Sequence, residues 1–272
     1  MTDSALPRLR PAEGLAVLHL FYRINRPAWE RLPKDRQQTE KSRLEDLVAQ
    51  ARADEQTQLV TLALLGRADL GFMLIAPDLH RINTLEKQLA ASLGPDVLQP
   101  VYTYLSLTEK SEYTQTEAEY TAELAKENIT AGHPEFEAKL AAFRQRYHSY
   151  THDRMYPTLP DWEYFCFYPM NKKRAAGQNW YALDFAKRRE LMGGHARVGR
   201  KYAGKVRQLI TGSTGLDDWE WGVTLFAHDP AEIKAIVYEM RFDEVSHGYA
   251  EFGPFYNGLP LPLPLLYQRL LL

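Results

Sequence analysis

The amino-acid sequence predicts an α+β fold made of two tandem ferredoxin-like units. Three observations carry that expectation. The order strand, helix, strand, strand, helix, strand can be read twice along the chain, and helices on one face of an antiparallel sheet satisfy it. A charged, helix-favouring segment separates the two runs. The 272 residues, 45% hydrophobic and 12% aromatic, supply enough apolar material for a sizeable core. The boundaries that follow are an N-terminal unit over 1–115, a helical insert over 116–160 and a C-terminal unit over 161–272. The repeat lies in the order of elements, not in residue identities.

The elements follow in order. VLHLFYRI (17–24) crowds Val, Leu and aromatic residues together and reads as a strand. Residues 27–52 are rich in Glu, Arg, Gln and Leu, and Pro27 suits a first helical turn, so one helix is expected there. The apolar runs TQLVTLALLG (57–66) and LGFMLIAP (70–77) flank Arg67–Ala68–Asp69 and predict a hairpin. Asp78 to Leu93 is a second helix, stopped by Gly94–Pro95. VLQPVYTYLSLTEKSEY (97–113) is a third strand region. In the insert, TEAEYTAELAKENI and PEFEAKLAAFRQRYHSY favour helix on either side of Thr130–His133.

The second unit opens on the strand EYFCFYPM (163–170), followed by a helix over Leu183–Tyr202. VRQLITG (206–212) and WEWGVTLFAH (219–228) are strands around the turn 213–218. A helix runs from Pro230 to about Tyr249, and EFGPFYNG (251–258) closes the unit. The tail LPLPLPLLYQRLLL alternates three prolines and is not expected to pair as a central strand. Its expected use is packing over a core or against another subunit.

Composition removes several classes of function. Lys and Arg number 33 against 35 Asp and Glu, a net charge of -2. Polyanion binders carry a marked basic excess, so nucleic acid is not an expected partner. The single cysteine, Cys166, excludes an intramolecular disulfide framework and a cysteine-rich metal site, and its apolar run makes it a buried small residue. The N-terminal stretch has no basic start followed by a long apolar run, so no signal peptide is expected. No segment approaches the roughly 20 apolar residues of a membrane span. The cytoplasm is the expected compartment.

Four segments concentrate reactive side chains. In FYPMNKKR (167–174), Met170 offers apolar contact, Tyr168 a phenol and Lys172 a charge for an anionic ligand; a strand end with solvated lysines is the plain alternative. In the helical LMGGHARVGRKY (191–202), His195 follows two glycines. Gly inside a helix costs about 1 kcal/mol relative to Ala, and close approach of something bulky and flat is one reason to tolerate it. A neutral imidazole there can ligate iron, or simply make an ordinary hydrogen bond. His19, His80, His133, His148, His152, His228 and His247 have no better claim, and no HExxH spacing is present. In the third segment, Asp217 and Asp218 are expected to fix a turn, with Trp219 and Trp221 packing on one face of the strand. In the fourth, Arg241, Asp243 and Glu244 read as a salt-bridge network within a helix.

Taken together and in register, these blocks resemble the chlorite dismutase family, most closely its coproheme decarboxylase branch. The carriers are Tyr168–Arg174, Asn179–Tyr181, the helix 191–202 with His195, the turn 212–222, and Met240–Glu244 with Gly253–Pro254. The resemblance spans Val17 to about Gly258 and is densest after Arg154. It implies a dimeric α+β barrel built of two ferredoxin-like units per chain, usually in a ring of five subunits. It implies iron coproporphyrin III as substrate and haem b as product. Two propionates would become vinyl groups in a hydrogen-peroxide-dependent oxidative decarboxylation through a radical on Tyr168.

Residue by residue, His195 matches the iron ligand and Tyr168 the radical tyrosine, with Lys172 beside a propionate. Pro169, Met170 and Asn171 match substrate contacts in the same run, and Met170 touches the porphyrin edge. Arg154 and Ser246 match further propionate contacts, Tyr113 and Arg200 weaker ones, and Gln208 the distal position. Chlorite dismutases proper carry arginine at that last place. Strand neighbours point to opposite faces, so if Gln208 faces the porphyrin, Arg207 faces away and chlorite is disfavoured. A one-residue slip would reverse this. A chlorite dismutase or peroxidase on the same fold, and a haem carrier without turnover, are the alternatives. A ferrochelatase that delivers the substrate is the partner the family implies.

Overall fold

The computed structural model describes residues 7–272. The first half contains β1 (Ala16–Ile24), α1 (Arg26–Glu30), α2 (Lys34–Ala53), β2 (Gln58–Leu65), β3 (Leu70–Ala76), α3 (Leu79–Ala90) and β4 (Leu98–Thr108). The insert is a helical hairpin, α4 (Glu117–Lys126) and α5 (Phe136–Met155). The second half contains β5 (Tyr164–Lys172), α6 (Phe185–Lys201), β6 (Val206–Gly212), β7 (Trp221–Ala227), α7 (Pro230–Met240), α8 (Glu244–Tyr249), β8 (Ala250–Phe252), β9 (Tyr256–Pro260) and α9 (Leu263–Leu270).

Three of these differ from the sequence-based expectation. The helix expected over 27–52 is two helices, because Pro33 takes the N-cap of α2 and ends the short α1 before it. The helix expected from Pro230 to Tyr249 breaks at Arg241–Asp243. There Asp243 caps α8 with its side chain, accepting from the Ser246 N–H. The closing segment is two short strands, β8 and β9, which pair with different stretches of β5.

The nine strands among the described residues form one antiparallel sheet in the order β7-β6-β4-β1-β3-β2-β9-β5-β8. A further pairing joins β5 to β7, so the order returns on itself. The order within the first half is β4-β1-β3-β2, and within the second β9-β5-β7-β6. Only β2–β9 and β4–β6 carry the strand pairing between halves among the described residues.

Side-chain alternation along the strands then divides the core in three. Val17, Phe21, Phe165, Phe167, Phe226 and Tyr104 share one face and pack together. On the opposite face of the first half, Leu18, Leu20, Phe72 and Leu74 pack against α2, α3 and α9. On the opposite face of the second half, Cys166, Tyr168, Val223 and Leu225 pack with Ile233 and Ile236 of α7. Cys166 is free and buried, as its sequence context predicts.

The proline-rich tail packs over a core as expected, but its first residues also pair within the sheet, which was not expected. Leu259 and Pro260 do pair, opposite Ala63 and Leu62, and β9 lies between β2 and β5. Pro260 escapes the usual penalty because it is the last residue of its strand. Beyond it, Pro262 is the N-cap of α9 and Pro264 lies in its first turn, where a missing N–H costs nothing. Leu263, Leu266, Tyr267 and Leu270 all face the first-half core. Leu266 is fully buried there. Leu266→Ala is therefore expected to cost about 2–5 kcal/mol of unfolding free energy, read as a lower midpoint in urea with an unchanged slope.

Candidate active site

The outer face of β5 organises the site. Tyr168, Met170 and Lys172 alternate along the strand and so share one face. Tyr168 and Lys172 are buried. The Tyr168 ring stacks on Phe255 at 4.5 Å and lies 5.9 Å from Phe252. Burial pushes its phenol well above the ordinary range, against the pull of the Arg241 guanidinium, so it is neutral at rest.

Lys172 is a buried cation with no carboxylate in ion-pairing distance among the described residues. Its ammonium sits over the face of Trp180, 4.4 Å from the ring centre. Burial lowers its pKa to about 8, opposed by the more distant carboxylates of Asp243 and Glu220. A buried ammonium without a counter-ion is costly, and a carboxylate brought in by a ligand relieves that cost.

The rest of the 168–174 run is held by Glu220, to which no sequence motif draws attention. Its carboxylate accepts the Lys172 backbone N–H at 2.8 Å and pairs with Arg174. Its own N–H donates to Asn171 Oδ1 at 2.7 Å. Asn171, expected to contact a ligand, thus spends its side-chain oxygen on tying β5 to the turn before β7. Pro169 is buried, and its carbonyl accepts the Gly253 N–H at 2.9 Å. A Cβ on Gly253 would fall 2.7 Å from the Pro169 ring and 3.0 Å from Trp219, so the glycine permits this close approach. Trp219 precedes β7 instead of sharing a strand face with Trp221, whose indole donates to Glu109 at 3.2 Å. Asp217 does shape the turn, accepting the Asp218 N–H at 2.8 Å.

Across from this face stands α6. Asp184 caps its start, accepting from the Lys187 N–H. His195 lies mid-helix, and its Nδ1 is 2.9 Å from Asp243 Oδ2. Burial works against the Asp243 carboxylate, yet the hydrogen bonds from His195 and Ser246 hold it below the usual carboxylate range. It is therefore charged, and it holds the imidazole through Nδ1, while Nε2 has no hydrogen-bond partner among the described residues. The expected network of Arg241, Asp243 and Glu244 does not form among the described residues: Asp243 serves His195 and Ser246, and Arg241 stacks on Phe252 at 3.7 Å. A Cβ on Gly193 would meet nothing within 4 Å, so that flank of the helix is open.

The remaining expected residues are distributed around the same region. In β6, Val206 and Ile210 pack in the Tyr168 cluster and Leu209 in the opposite one. Gln208 shares the parity of Val206 and Ile210 and faces α6, its amide reaching the Gly199 backbone region; Arg207 has the other parity and is exposed. Ser246 is buried and donates to Asp243 Oδ2 at 2.9 Å. Tyr113 stacks on Phe185 at 5.9 Å and meets the edge of Trp180 at 6.4 Å; burial, with Glu112 beside it, pushes its phenol up to about 12. Arg154 donates to the Glu109 carbonyl at 3.2 Å and lies over Tyr150. Arg200 is exposed on α6.

One histidine without a sequence-based role is explained by burial. His19 lies inside the closed run of strands, 4.1 Å from Phe167 centre to centre, with Nε2 2.9 Å from Thr224 Oγ1. Burial drops its pKa to about 3, so it is a neutral core residue joining the two halves.

A sequence model of the family described as chlorite dismutase matches residues 37–261. The chain belongs to the chlorite dismutase family. Within that family it is 40% identical over 254 residues to a coproheme decarboxylase of Staphylococcus carnosus, covering 92% of this chain and 93% of the relative. It is 34% identical over 250 residues to a coproheme decarboxylase of Oceanobacillus iheyensis, covering 90% and 91%. Among solved structures it is similar to a haem-binding protein of Thermus thermophilus, at 35% identity and a TM-score of 0.80 over 98% of this chain and 99% of that one. The mixed α+β architecture with its large antiparallel sheet is thus that of a chlorite dismutase family member.

Proposed function

We propose that this chain is a coproheme decarboxylase, converting iron coproporphyrin III to haem b. The observation that carries the proposal is the pair on β5: a neutral buried phenol, Tyr168, one strand step from Met170 and two from a buried, counter-ion-free Lys172. The names of the relatives agree with it. Nothing in a bland strand end calls for an unpaired buried ammonium beside a phenol, whereas a propionate carboxylate would satisfy it. His195, with Asp243 behind it, would hold the porphyrin iron from α6.

The balance of each turnover assigns the residues their tasks. A propionate, one hydrogen peroxide and one proton become a vinyl group, carbon dioxide and two waters. The iron porphyrin itself supplies the oxidising power once peroxide has reacted with it. Tyr168 would lose one electron and its phenolic proton, and its oxygen would then abstract a hydrogen atom from the propionate β-carbon. Lys172 would hold the carboxylate until carbon dioxide leaves, the second electron going to the peroxide-oxidised iron porphyrin. Tyr113, Arg154 and Ser246 would receive other propionates, with Pro169, Met170 and Asn171 lining the edge. Gln208, a neutral side chain on the α6-facing parity of β6, favours this chemistry over chlorite conversion, which would need a cation there.

The assembly reading belongs to the same proposal. Each half has the strand order of a ferredoxin-like unit, 1–115 and 161–272 with 116–160 between, and the return of the strand order through β5–β7 supports a dimeric α+β barrel. A ring of five such chains, a cytoplasmic location and substrate hand-off from a ferrochelatase complete the reading. Among the described residues no helix is long and apolar enough to cross a membrane.

Titration with iron coproporphyrin III, then peroxide, with product masses followed, tests the function. Two successive losses of the mass of formic acid, that is carbon dioxide and two hydrogens, are expected; bound substrate that survives peroxide unchanged would make the protein a carrier, and oxygen release from chlorite a chlorite dismutase. The pH profile gives a second test. In the free protein Lys172 is charged below about pH 8 and neutral above it, so affinity for the four-carboxylate substrate should fall as pH rises from 8 to 10, by up to tenfold per pH unit in a one-proton slope. Lys172→Met should remove that limb of the profile, and a profile unchanged in the variant would exclude Lys172 as the carboxylate partner.

A further inference from the structure

Apart from Arg154 near the end of α5, the insert α4–α5 has no role in the proposed chemistry, yet it reaches the helix that carries His195. Among the 17 residues of α6, Leu191 is the single buried side chain of those described. With so little apolar anchoring, polar contacts carry much of the helix's placement. Two sets do so. At its C-terminal end Lys201 and Tyr202 both engage Glu239 of α7. In its N-terminal half Arg189 makes a two-pronged pair with Glu119 of α4, one prong 3.0 Å from Arg189 Nη2 to Glu119 Oε2. Beside it Arg188 donates to the Leu183 carbonyl at 2.8 Å and approaches Glu112 at 3.9 Å.

Glu119 is itself rigidly placed. It is the N3 residue of a capping box, receiving the Thr116 N–H at 2.8 Å while Thr116 Oγ1 caps the helix in return. The Arg189 guanidinium and these cap bonds hold its carboxyl down to about 2, so the pair is charged across the whole neutral range. On its other side α4 is tied to α5 by Glu117–Arg144 and by the stacking of Tyr120 on Phe143 at 4.4 Å. The hairpin is thus a braced body with one bidentate arm on α6, and bidentate Arg–carboxylate pairs fix geometry as well as distance.

We propose that the α4–α5 insert is a strut that positions the iron-ligand helix, with Arg189 and Glu119 as the positioning pair. The inference rests on the reading of His195 as the iron ligand. Arg189 lies six residues before His195 on a helix whose other polar clamp is six residues after it, at Lys201. Loss of either clamp leaves the helix held by the other clamp and by the His195–Asp243 bond alone, and metal and catalytic geometries tolerate only about half an ångström of added play. The N-cap of the strut, Thr116, also lies three residues after Tyr113, which stacks on Phe185 in the first turn of α6. A carboxylate engaged by Tyr113 and iron engaged by His195 would therefore be coupled through one short segment.

Arg189→Gln removes the pair and leaves the capping box; Thr116→Ala removes the cap and leaves the pair. In the ligand-free protein, Arg189→Gln should speed hydrogen exchange of the amides over 188–199 about three- to tenfold, and Thr116→Ala should speed exchange in α4 alone. Iron coproporphyrin III should bind Arg189→Gln about three- to fivefold more weakly, with a broadened iron–histidine stretching band, and Arg189→Lys should recover part of both. Unchanged exchange in α6 for Arg189→Gln, or the same change in α6 for Thr116→Ala, overturns the strut. His195→Ala separates the two readings: a spectrum unaltered by that substitution removes the ligand assignment whatever the exchange shows.

Discussion

Tyr168→Phe is expected to bind iron coproporphyrin III within about twofold of the native protein and to form no detectable haem b on addition of peroxide. The phenyl ring keeps the contacts that bury Tyr168, the stacking on Phe255 and the packing with Val223 and Leu225, so the fold and the pocket wall persist. Only the O–H is lost, and with it the phenol nearest Lys172 on this face of β5, neutral at rest and oxidisable by loss of an electron and a proton; Tyr164 shares the face but lies four residues further from Lys172. No neighbour replaces it. Cys166, on the same face, is pushed up to about 12 by burial and packs two residues further from Lys172. The rate should fall at least about a thousandfold, on the order of 4 kcal/mol of barrier. The decisive measurement is the product mass after a single peroxide addition, with binding followed separately by absorption. A Tyr168→Phe variant that releases haem b at the native rate would require another radical carrier; one that fails to bind would mean the phenol is a ligand contact first.

Much of this arrangement is readable in the sequence because it follows local rules. The hairpin of β2 and β3, the strand β6 and the common face of Tyr168, Met170 and Lys172 all come from a period of two. Whether Gln208 or Arg207 faces α6 turns on the same parity, fixed by Val206 and Ile210 packing with Tyr168. The failures have a common physical origin in side chains that act at a distance. Arg241–Phe242–Asp243 contains neither Gly nor Pro, so nothing local announces a helix break. The break is made by Asp243, which caps α8 and reaches His195, 48 residues earlier in the chain. Glu220 likewise looks like one residue of an aromatic strand, and only the fold brings it under the Lys172 N–H. The tail misleads for the opposite reason. Its prolines are conspicuous, but the spacing 263, 266, 267, 270 beneath them is a helical stripe, and prolines in a first turn do not oppose it.

His195→Ala is expected to weaken the iron coproporphyrin complex on the order of a hundredfold and to shift its absorption bands, since no second imidazole or thiolate on α6 can take its place. Asp243 allows the assignment to be tested more finely. Its carboxylate does three things: it caps α8, it holds Ser246 and it accepts from His195. Asp243→Asn keeps an acceptor for the imidazole and a good N-cap, and removes only the charge. If His195 binds iron, that charge makes the imidazole a stronger donor, and its removal should raise the ferric/ferrous potential and alter the iron–histidine stretching band while leaving the folded protein nearly as stable. Asp243→Ala removes the acceptor as well and should cost a further 10- to 100-fold in affinity, by the usual effect of losing a ligand's hydrogen-bond partner. The order native, Asp243→Asn, Asp243→Ala, His195→Ala in rising dissociation constant is the signature of a ligand supported from behind. A potential and a band position identical in the native protein and Asp243→Asn would show that the pair merely fastens α6 to α8, and the iron would need another ligand.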